Sequence, residues 1–301
     1  MNKPMPQLLS IESPFPEASS TLRVLETADS CQASIWDRIF DGTYGKPFIV
    51  DSGLWRFLHF DLDSVQSAMH LKDTDKLALL YTRKMMAFLL FSSDPQRILL
   101  LGLGGGSLAK FCHRRLPAAA VTTVELNPDV IALRGEFRIP ADNDRFRVIH
   151  TDAATYLAQL QYHKDVILAD ACDSGGTASR LNALDFYRDA RRCLSERGVF
   201  VTNLCGEVPN RNAHLEKIRT VFGDGVVTLQ VRQHRNVIVF AFKKPRPELD
   251  WERLVSTAAD LKRRFGLNFP RYVRRIELDW KQRRWRHACV GACAQKVNPA
   301  S

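Results

Sequence analysis

The chain has 301 residues, 45% of them hydrophobic and 25% charged, which suits a soluble globular protein with a sizeable core and excludes a fibrous or low-complexity chain. The net charge is +10, but nearly all of it lies in residues 243–301, where 15 Lys/Arg face 6 Asp/Glu. A basic coat over the whole molecule is therefore excluded, and so is a bilayer span, because Arg83 and Lys84 interrupt the longest apolar stretch, 77–91.

Residues 1–20 carry four prolines and no apolar core segment, so a secretory signal peptide is not expected. The first 35 residues show no strong periodicity. Two β-rich runs then flank Asp51-Ser52-Gly53, which reads as a hairpin, and a further run near Val65 to Met69 adds a third strand. These make a small N-terminal β unit, with its segment bounded at 1–72. Apolar residues at spacings of three and four predict a helix over 73–91.

An α/β alternation follows, bounded at 73–244. Strands are predicted at 98–101, 121–125, 147–150, 166–170 and 198–203. Helices are predicted at 107–115, 128–137, 153–161 and 184–194, with Asn127 and Pro128 forming a sound helix start. Two late runs, 226–232 and 237–242, read as an antiparallel hairpin at the sheet edge. A mostly parallel sheet closed by such a hairpin favours the Rossmann-like arrangement of S-adenosylmethionine methyltransferases over the NAD-binding one. Residues 245–301 read as a basic helical extension. The simple expectation for it is a solvated helical face. The sharper one is a docking surface for acidic partners, since Arg271, Arg274, Arg275, Lys281, Arg283, Arg284 and Arg286 interleave with Tyr272, Trp280 and Trp285.

Seven cysteines are spread along the chain without a Cys-x-x-Cys pair. Structural thiols in a reducing cytoplasm are the expectation. Cys289 and Cys293, near His287, make half of a metal site with no second pair to complete it, so no metal is expected.

The chemistry concentrates after the first α/β strand. Arg97 to Leu101 flows into Gly102, Gly104, Gly105 and Gly106, which let backbone approach a ligand closely. Ser107 stands where dinucleotide proteins want another glycine. Carboxylates end the following strands. Glu125 can accept from both ribose hydroxyls, and Asp152, beside Ala153, can accept from an adenine amino group or cap a helix. Asp170 is the third. A glycine loop with three strand-end carboxylates points to an S-adenosyl nucleoside rather than a dinucleotide.

From Tyr44 to Phe242 these pieces, in this order, resemble the spermidine and spermine synthases, the polyamine aminopropyltransferases. The matching pieces are Val65-Gln66, Tyr81, the glycine loop, Val124-Glu125, Asp152-Ala153, Asp170-Ala171-Cys172-Asp173, Asp185-Phe186-Tyr187 and Gly198-Val199-Phe200-Val201. The resemblance implies an N-terminal β domain on a Rossmann-like domain, assembled as dimers or tetramers. It implies aminopropyl transfer from decarboxylated S-adenosylmethionine, a co-substrate rather than a tightly bound cofactor, to a small-molecule amine. Asp170 takes the base position and Asp173 the position that holds the amine, while Gln66 and Tyr81 line the pocket. The chain departs from the pattern at Gly105, where the family has an aspartate that binds the donor's ammonium. It departs again after Asp173, and at Asn203, where the family has glutamine. Two other readings stay open: a methyltransferase using intact S-adenosylmethionine, and a non-catalytic nucleoside-binding adaptor whose basic tail docks on an acidic partner such as nucleic acid.

Overall fold

The computed structural model describes residues 7–12, 20–170, 172–173, 176–177, 179–231, 236–244 and 249–295, with the side chains of 171–180 and 283–295 outside that description.

The N-terminal strands β1 (Gln7–Glu12), β2 (Ser20–Glu26), β3 (Phe48–Ser52), β4 (Trp55–His59) and β5 (Val65–His70) form one antiparallel sheet in sequential order. The expected hairpin is the β3–β4 turn. The first 35 residues hold two strands that were not expected there. In β2, Leu22 and Val24 alternate inward with Thr21 and Arg23 outward, the half-buried strand pattern. Helix α1 (Gln32–Phe40) buries Ile35 and Ile39 against Leu22, Val24 and Phe48.

The expected helix over 73–91 is shorter than its periodicity. Only α2 (Leu80–Met85) is α-helical, continued by a 3₁₀ segment at Met86–Leu90. Leu79 is extended at its start, and the Arg83 guanidinium turns back to donate to the carbonyls of Leu77 and Ala78. That bond pattern satisfies the preceding backbone without a helix.

The second sheet comprises β6 (Arg97–Leu101), β7 (Ala120–Glu125), β8 (Phe146–His150), β9 (Lys164–Ala169), β12 (Leu194–Leu204), β13 (Val226–Val231) and β14 (Asn236–Phe242). A two-residue hairpin, β10 (Cys172–Asp173) with β11 (Gly176–Thr177), lies between β9 and β12 in the chain. The spatial order is β13-β14-β12-β9-β6-β7-β8, parallel from β8 to β12, with β14 antiparallel to both neighbours. This is the expected Rossmann-like sheet closed by an antiparallel hairpin.

The central strands read as continuous apolar runs because both faces are covered. Ile98 and Leu100 face one core; Leu99 and Leu101 face the other. Helices α3 (Ser107–Arg115) and α4 (Pro128–Ala132) pack with the first core, while α5 (Ala153–Gln159), α6 (Leu184–Arg192) and α7 (Val208–Phe222) pack with the second. The expected start of α4 is present: Asn127 Oδ1 accepts from Asp129 N at 2.9 Å. It stops at Ala132, short of the expected 137, and Arg138 turns left-handed at φ +55°.

The C-terminal extension is helical, as α8 (Trp251–Phe265) and α9 (Phe269–Gln295). It is not simply solvated. Leu254, Ala258, Leu261 and Phe265 form one stripe that joins Phe269, Val273 and Ile276 in the first core. The side chains of His287, Cys289 and Cys293 lie outside the described residues. The expectation of free thiols holds for Cys31, Cys112 and Cys193 and fails at Cys205, which is disulfide-bonded. Among the described residues no helix is long and apolar enough to cross a membrane.

The two sheets are tied together beside the glycine loop. The buried Arg56 of β4 pairs with Asp51 at 2.7 Å and with Glu136 at 2.7 Å across the junction. Buried Lys110 of α3 donates to the Phe137 carbonyl at 2.6 Å and meets Met69 Sδ of β5 at 3.2 Å. Burial lowers the Lys110 ammonium to about 8.

Candidate active site

Parallel register assembles the site. Leu101 pairs with Val124 and with Ala169, Glu125 with His150, and Thr202 with Ala169. The residues just past or at these ends, Gly102, Glu125, Asp170 and Asn203, therefore line one carboxyl edge of the sheet. Asp152 follows β8 two residues on. Strand order reverses at β6, the position at which open α/β sheets bind ligands. Backbone bonds hold the corner: Gly102 N donates to Val124 O at 2.8 Å, and Asp170 N to Leu101 O at 2.9 Å.

The Glu125 carboxylate braces the loop. One oxygen accepts from Leu103 N at 2.8 Å and the other from Asn127 N at 2.8 Å. Each oxygen keeps a second lone pair, enough for a bidentate contact with vicinal hydroxyls. Asp152 caps α5: its Oδ1 accepts from Thr155 N at 2.9 Å and Thr155 Oγ1 at 3.0 Å. The capping reading of Asp152 is the one these bonds show, and Ala153 opens the helix behind it.

Gly106 is left-handed at φ +67° and starts α3; a Cβ there would strike Ile139. Gly105 is more telling. A Cβ at this position would lie 2.6 Å from Ser67 Oγ and 2.9 Å from Phe137 Cδ1. Ser67 Oγ in turn lies 3.4 Å from Ser107 Oγ. Two hydroxyls thus crowd the loop at the position where the resembled family carries an aspartate. Gly104 has open space at the equivalent point. Gln66, next to Ser67 on β5, is half-buried and donates to Ser64 Oγ at 3.1 Å.

Asp170 is the electrostatic centre. Tyr81, on α2, hydrogen-bonds it, and Asn203 Nδ2 donates to its Oδ1 at 3.2 Å. Asn236 Nδ2 donates in turn to Asn203 Oδ1 at 3.1 Å, inside the sheet. Burial pushes the Asp170 carboxyl up to about 6, against the two hydrogen bonds, which lower it. Burial, then the charge of Asp170, pushes the Tyr81 hydroxyl well above its usual value. A carboxyl of this kind is suited to accept a proton near neutral pH.

The structure brings together Tyr81, Asp170, Glu125 and the glycines, with Gln66 alongside through Ser67. Asp173 lies on β10, and its side chain is outside the described residues. Sequence reasoning missed Ser67 and Asn236. Ser67 follows the matched Val65-Gln66 pair directly. Asn236 opens an otherwise apolar strand, and such an isolated polar residue is a usable signal.

Sheet order and a glycine turn into a helix define a Rossmann-like fold of methyltransferase topology, with carboxylates at its strand ends. A family model for the spermine/spermidine synthase domain matches residues 78–222. The polyamine aminopropyltransferase of Chromobacterium violaceum is 39% identical over 230 residues, which is 76% of this chain and 88% of that one. The chain belongs to the spermine/spermidine synthase family. Two solved structures share the fold. A probable spermidine synthase from Corynebacterium glutamicum aligns with TM-score 0.59 and 18% identity, over 73% of this chain and 91% of that one. Human methyltransferase-like protein 13 in complex with SAH aligns with TM-score 0.57 and 24% identity, over 62% and 92%.

Proposed function

We propose that this protein is a polyamine aminopropyltransferase, moving an aminopropyl group from decarboxylated S-adenosylmethionine to a small-molecule amine. The chemistry poses a definite problem. An alkylammonium has an ordinary pKa of about 10.4 and is not nucleophilic at pH 7. Asp170 takes the proton from the bound ammonium. The freed amine attacks the carbon next to the sulfonium, a C–N bond forms, and the C–S pair returns to sulfur as a neutral thioether. Tyr81 and Asn203 hold the carboxylate in place for that transfer. Glu125 holds the donor's ribose and Asp152 its adenine, over backbone of Gly102, Gly104, Gly105 and Gly106. Gln66 lines the pocket, and Asp173 holds the incoming amine.

The observation that carries the reading is Asp170 itself, raised to about 6 at the strand edge beside the loop and bonded by Tyr81 and Asn203. The names of the matching relatives support the reaction class, and they do not favour the methyltransferase or adaptor readings. A dimer or tetramer belongs to the same reading by family resemblance, and light scattering on the purified chain tests it. A cytoplasmic setting is supported by the free thiols of Cys31, Cys112 and Cys193, with Cys205 as the exception. Mass spectrometry after incubation with the decarboxylated donor and putrescine or spermidine tests the activity. A product heavier by one aminopropyl group supports it. A methylated product from intact S-adenosylmethionine, or no product with either donor, overturns it.

A further inference from the structure

A cavity among the described residues lies away from the strand edge. It has a volume of about 980 Å³ and is enclosed by the residues before and within α2, the outer strand β13, α3, and the α8–α9 hairpin. Its charged lining is lopsided. Six cations, Lys76, Arg83, Lys84, Arg115, Arg271 and Arg275, face three carboxylates, Asp73, Asp75 and Asp279. Two of the three carboxylates are engaged: Asp75 by Arg114, and Asp279 by the Thr228 hydroxyl.

Two of the guanidinium groups are held in place by neutral groups. Arg83 Nε donates to Leu77 O at 2.6 Å and Nη2 to Ala78 O at 2.9 Å. Arg115 Nη2 donates to Arg264 O at 3.0 Å, and its guanidinium lies 5.9 Å from the ring centres of Phe111 and Phe265. Arg271 and Arg275 stand one helical turn apart on α9, and neither has an ion pair among the described residues. Guanidinium groups gathered in a concavity where cations outnumber carboxylates raise the local potential and match phosphate geometry. The volume lies within the range of small-molecule sites.

We infer that this cavity binds a small polyanion bearing several phosphate groups, of nucleotide size, held by Arg83, Arg115, Arg271 and Arg275. The site touches the strand edge through one element. Arg83 and Lys84 belong to α2, the same short helix that presents Tyr81 to Asp170. Occupancy therefore loads the helix that orders the Asp170 carboxylate.

The test is a binding measurement, independent of the proposed transfer reaction. Calorimetry on the full chain uses inorganic triphosphate in one arm and ATP in the other, at low salt. Saturable binding near one equivalent in either arm supports the site. Equal affinity in both arms assigns recognition to the phosphates, and tighter ATP binding assigns a further contact to the nucleoside; either supports a nucleotide-sized polyanion. The double variant Arg271→Gln/Arg275→Gln is expected to weaken binding about tenfold or more. Arg274→Gln, on the same helix but outside the lining, is expected to leave it unchanged. No saturable binding overturns the inference. So does equal weakening by Arg274→Gln, or a short single-stranded RNA that outcompetes triphosphate at equal phosphate concentration. Melting curves of each variant confirm folding, and Asp170→Asn is expected to bind triphosphate like the parent chain. Failure of the transfer assay thus stays separate from failure of this site.

Discussion

The glycine-loop side and the Asp170 side of the strand edge are built differently. On the loop side, carboxylates accept backbone N–H groups directly. Glu125 takes Leu103 and Asn127, Asp152 takes Thr155, and Gly105 and Gly106 meet side chains with no room for a Cβ. Little there can move without breaking main-chain bonds. On the Asp170 side, a chain of side chains runs Asn236 to Asn203 to Asp170, met from α2 by Tyr81. It fixes less volume and governs one proton. A scaffold for holding a ligand and a device for setting protonation share a sheet edge, and mutations should separate them.

The largest effect is expected on the protonation side. Asp170→Asn keeps the shape and the partners and removes the base. Transfer turnover should fall about 10²–10⁴-fold, the usual contribution of general base catalysis. Donor affinity by calorimetry should stay at the parent value, since Glu125 and the loop are untouched. Loss of donor binding together with turnover would merge the two sides into one.

Glu125→Gln breaks the other side. One carboxylate oxygen becomes an NH₂ group, which must face either Leu103 N–H or Asn127 N–H, donor against donor. Hydrogen bonds to charged groups contribute about 1.5–3 kcal/mol each, so the donor Kd should weaken about 10–100-fold. Turnover at saturating donor should change little, because Asp170 keeps its environment. A fall in turnover at saturation would place Glu125 in the chemistry instead.

A third test concerns volume. Gly105→Ala forces a methyl against Ser67 Oγ and Phe137, and overpacking of this kind costs about 1–3 kcal/mol. Ser67→Gly should recover part of that loss, giving a coupling energy in a double-mutant cycle of denaturation midpoints. With Ser67 reduced, the Phe137 ring is the remaining contact, and it must shift to admit Gly105→Asp. That pair should shift preference toward the decarboxylated donor, since a carboxylate now opposes the carboxylate of intact S-adenosylmethionine. Strict additivity of the two single variants would show that Ser67 does not fill the Gly105 space.

Much of this was legible in the sequence, and the reasons are specific. Buried parallel strands leave apolar runs, so Arg97–Leu101 and Lys164–Ala169 could be placed within about two residues. The hairpin after 226 then fixed the topology. Glu125, Asp152 and Asp170 end strands that pair in register, so spacing alone placed them on one edge. Long-range contacts were not legible. Nothing local says that Arg83 will satisfy the carbonyls of Leu77 and Ala78, and this shortens α2. Nothing near Gly105 announces that Ser67, 38 residues earlier in the numbering, fills its space. The basic tail misled in another way. Its charge count hid the Leu254–Ala258–Leu261–Phe265 stripe that buries it in the core.

The smallest expected effect is on pH, and it reads the relay directly. Asp170 must be ionised to accept a proton, so activity should fall on the acid side near its value of about 6. Asn203 and Tyr81 both stabilise the ionised form. Asn203→Ala removes one of them, so the acid limb of kcat/KM should move to higher pH, by about one unit or less. A move to lower pH would mean that Asn203 holds the neutral form. The same proton sets a stability trend. Asp170 titrates from 3.8 in the open chain to about 6 in the fold, so between these values the folded state binds more protons than the unfolded one. The Asp170 contribution to unfolding free energy therefore falls as pH rises through that window, and the deficit persists above it. Asp170→Asn has no such charge to bury. Its melting temperature should exceed that of the parent chain at pH 8, and the gap should close toward pH 4. A constant gap across that range would assign the gain to packing, and the carboxylate of Asp170 would then be as well solvated in the fold as outside it.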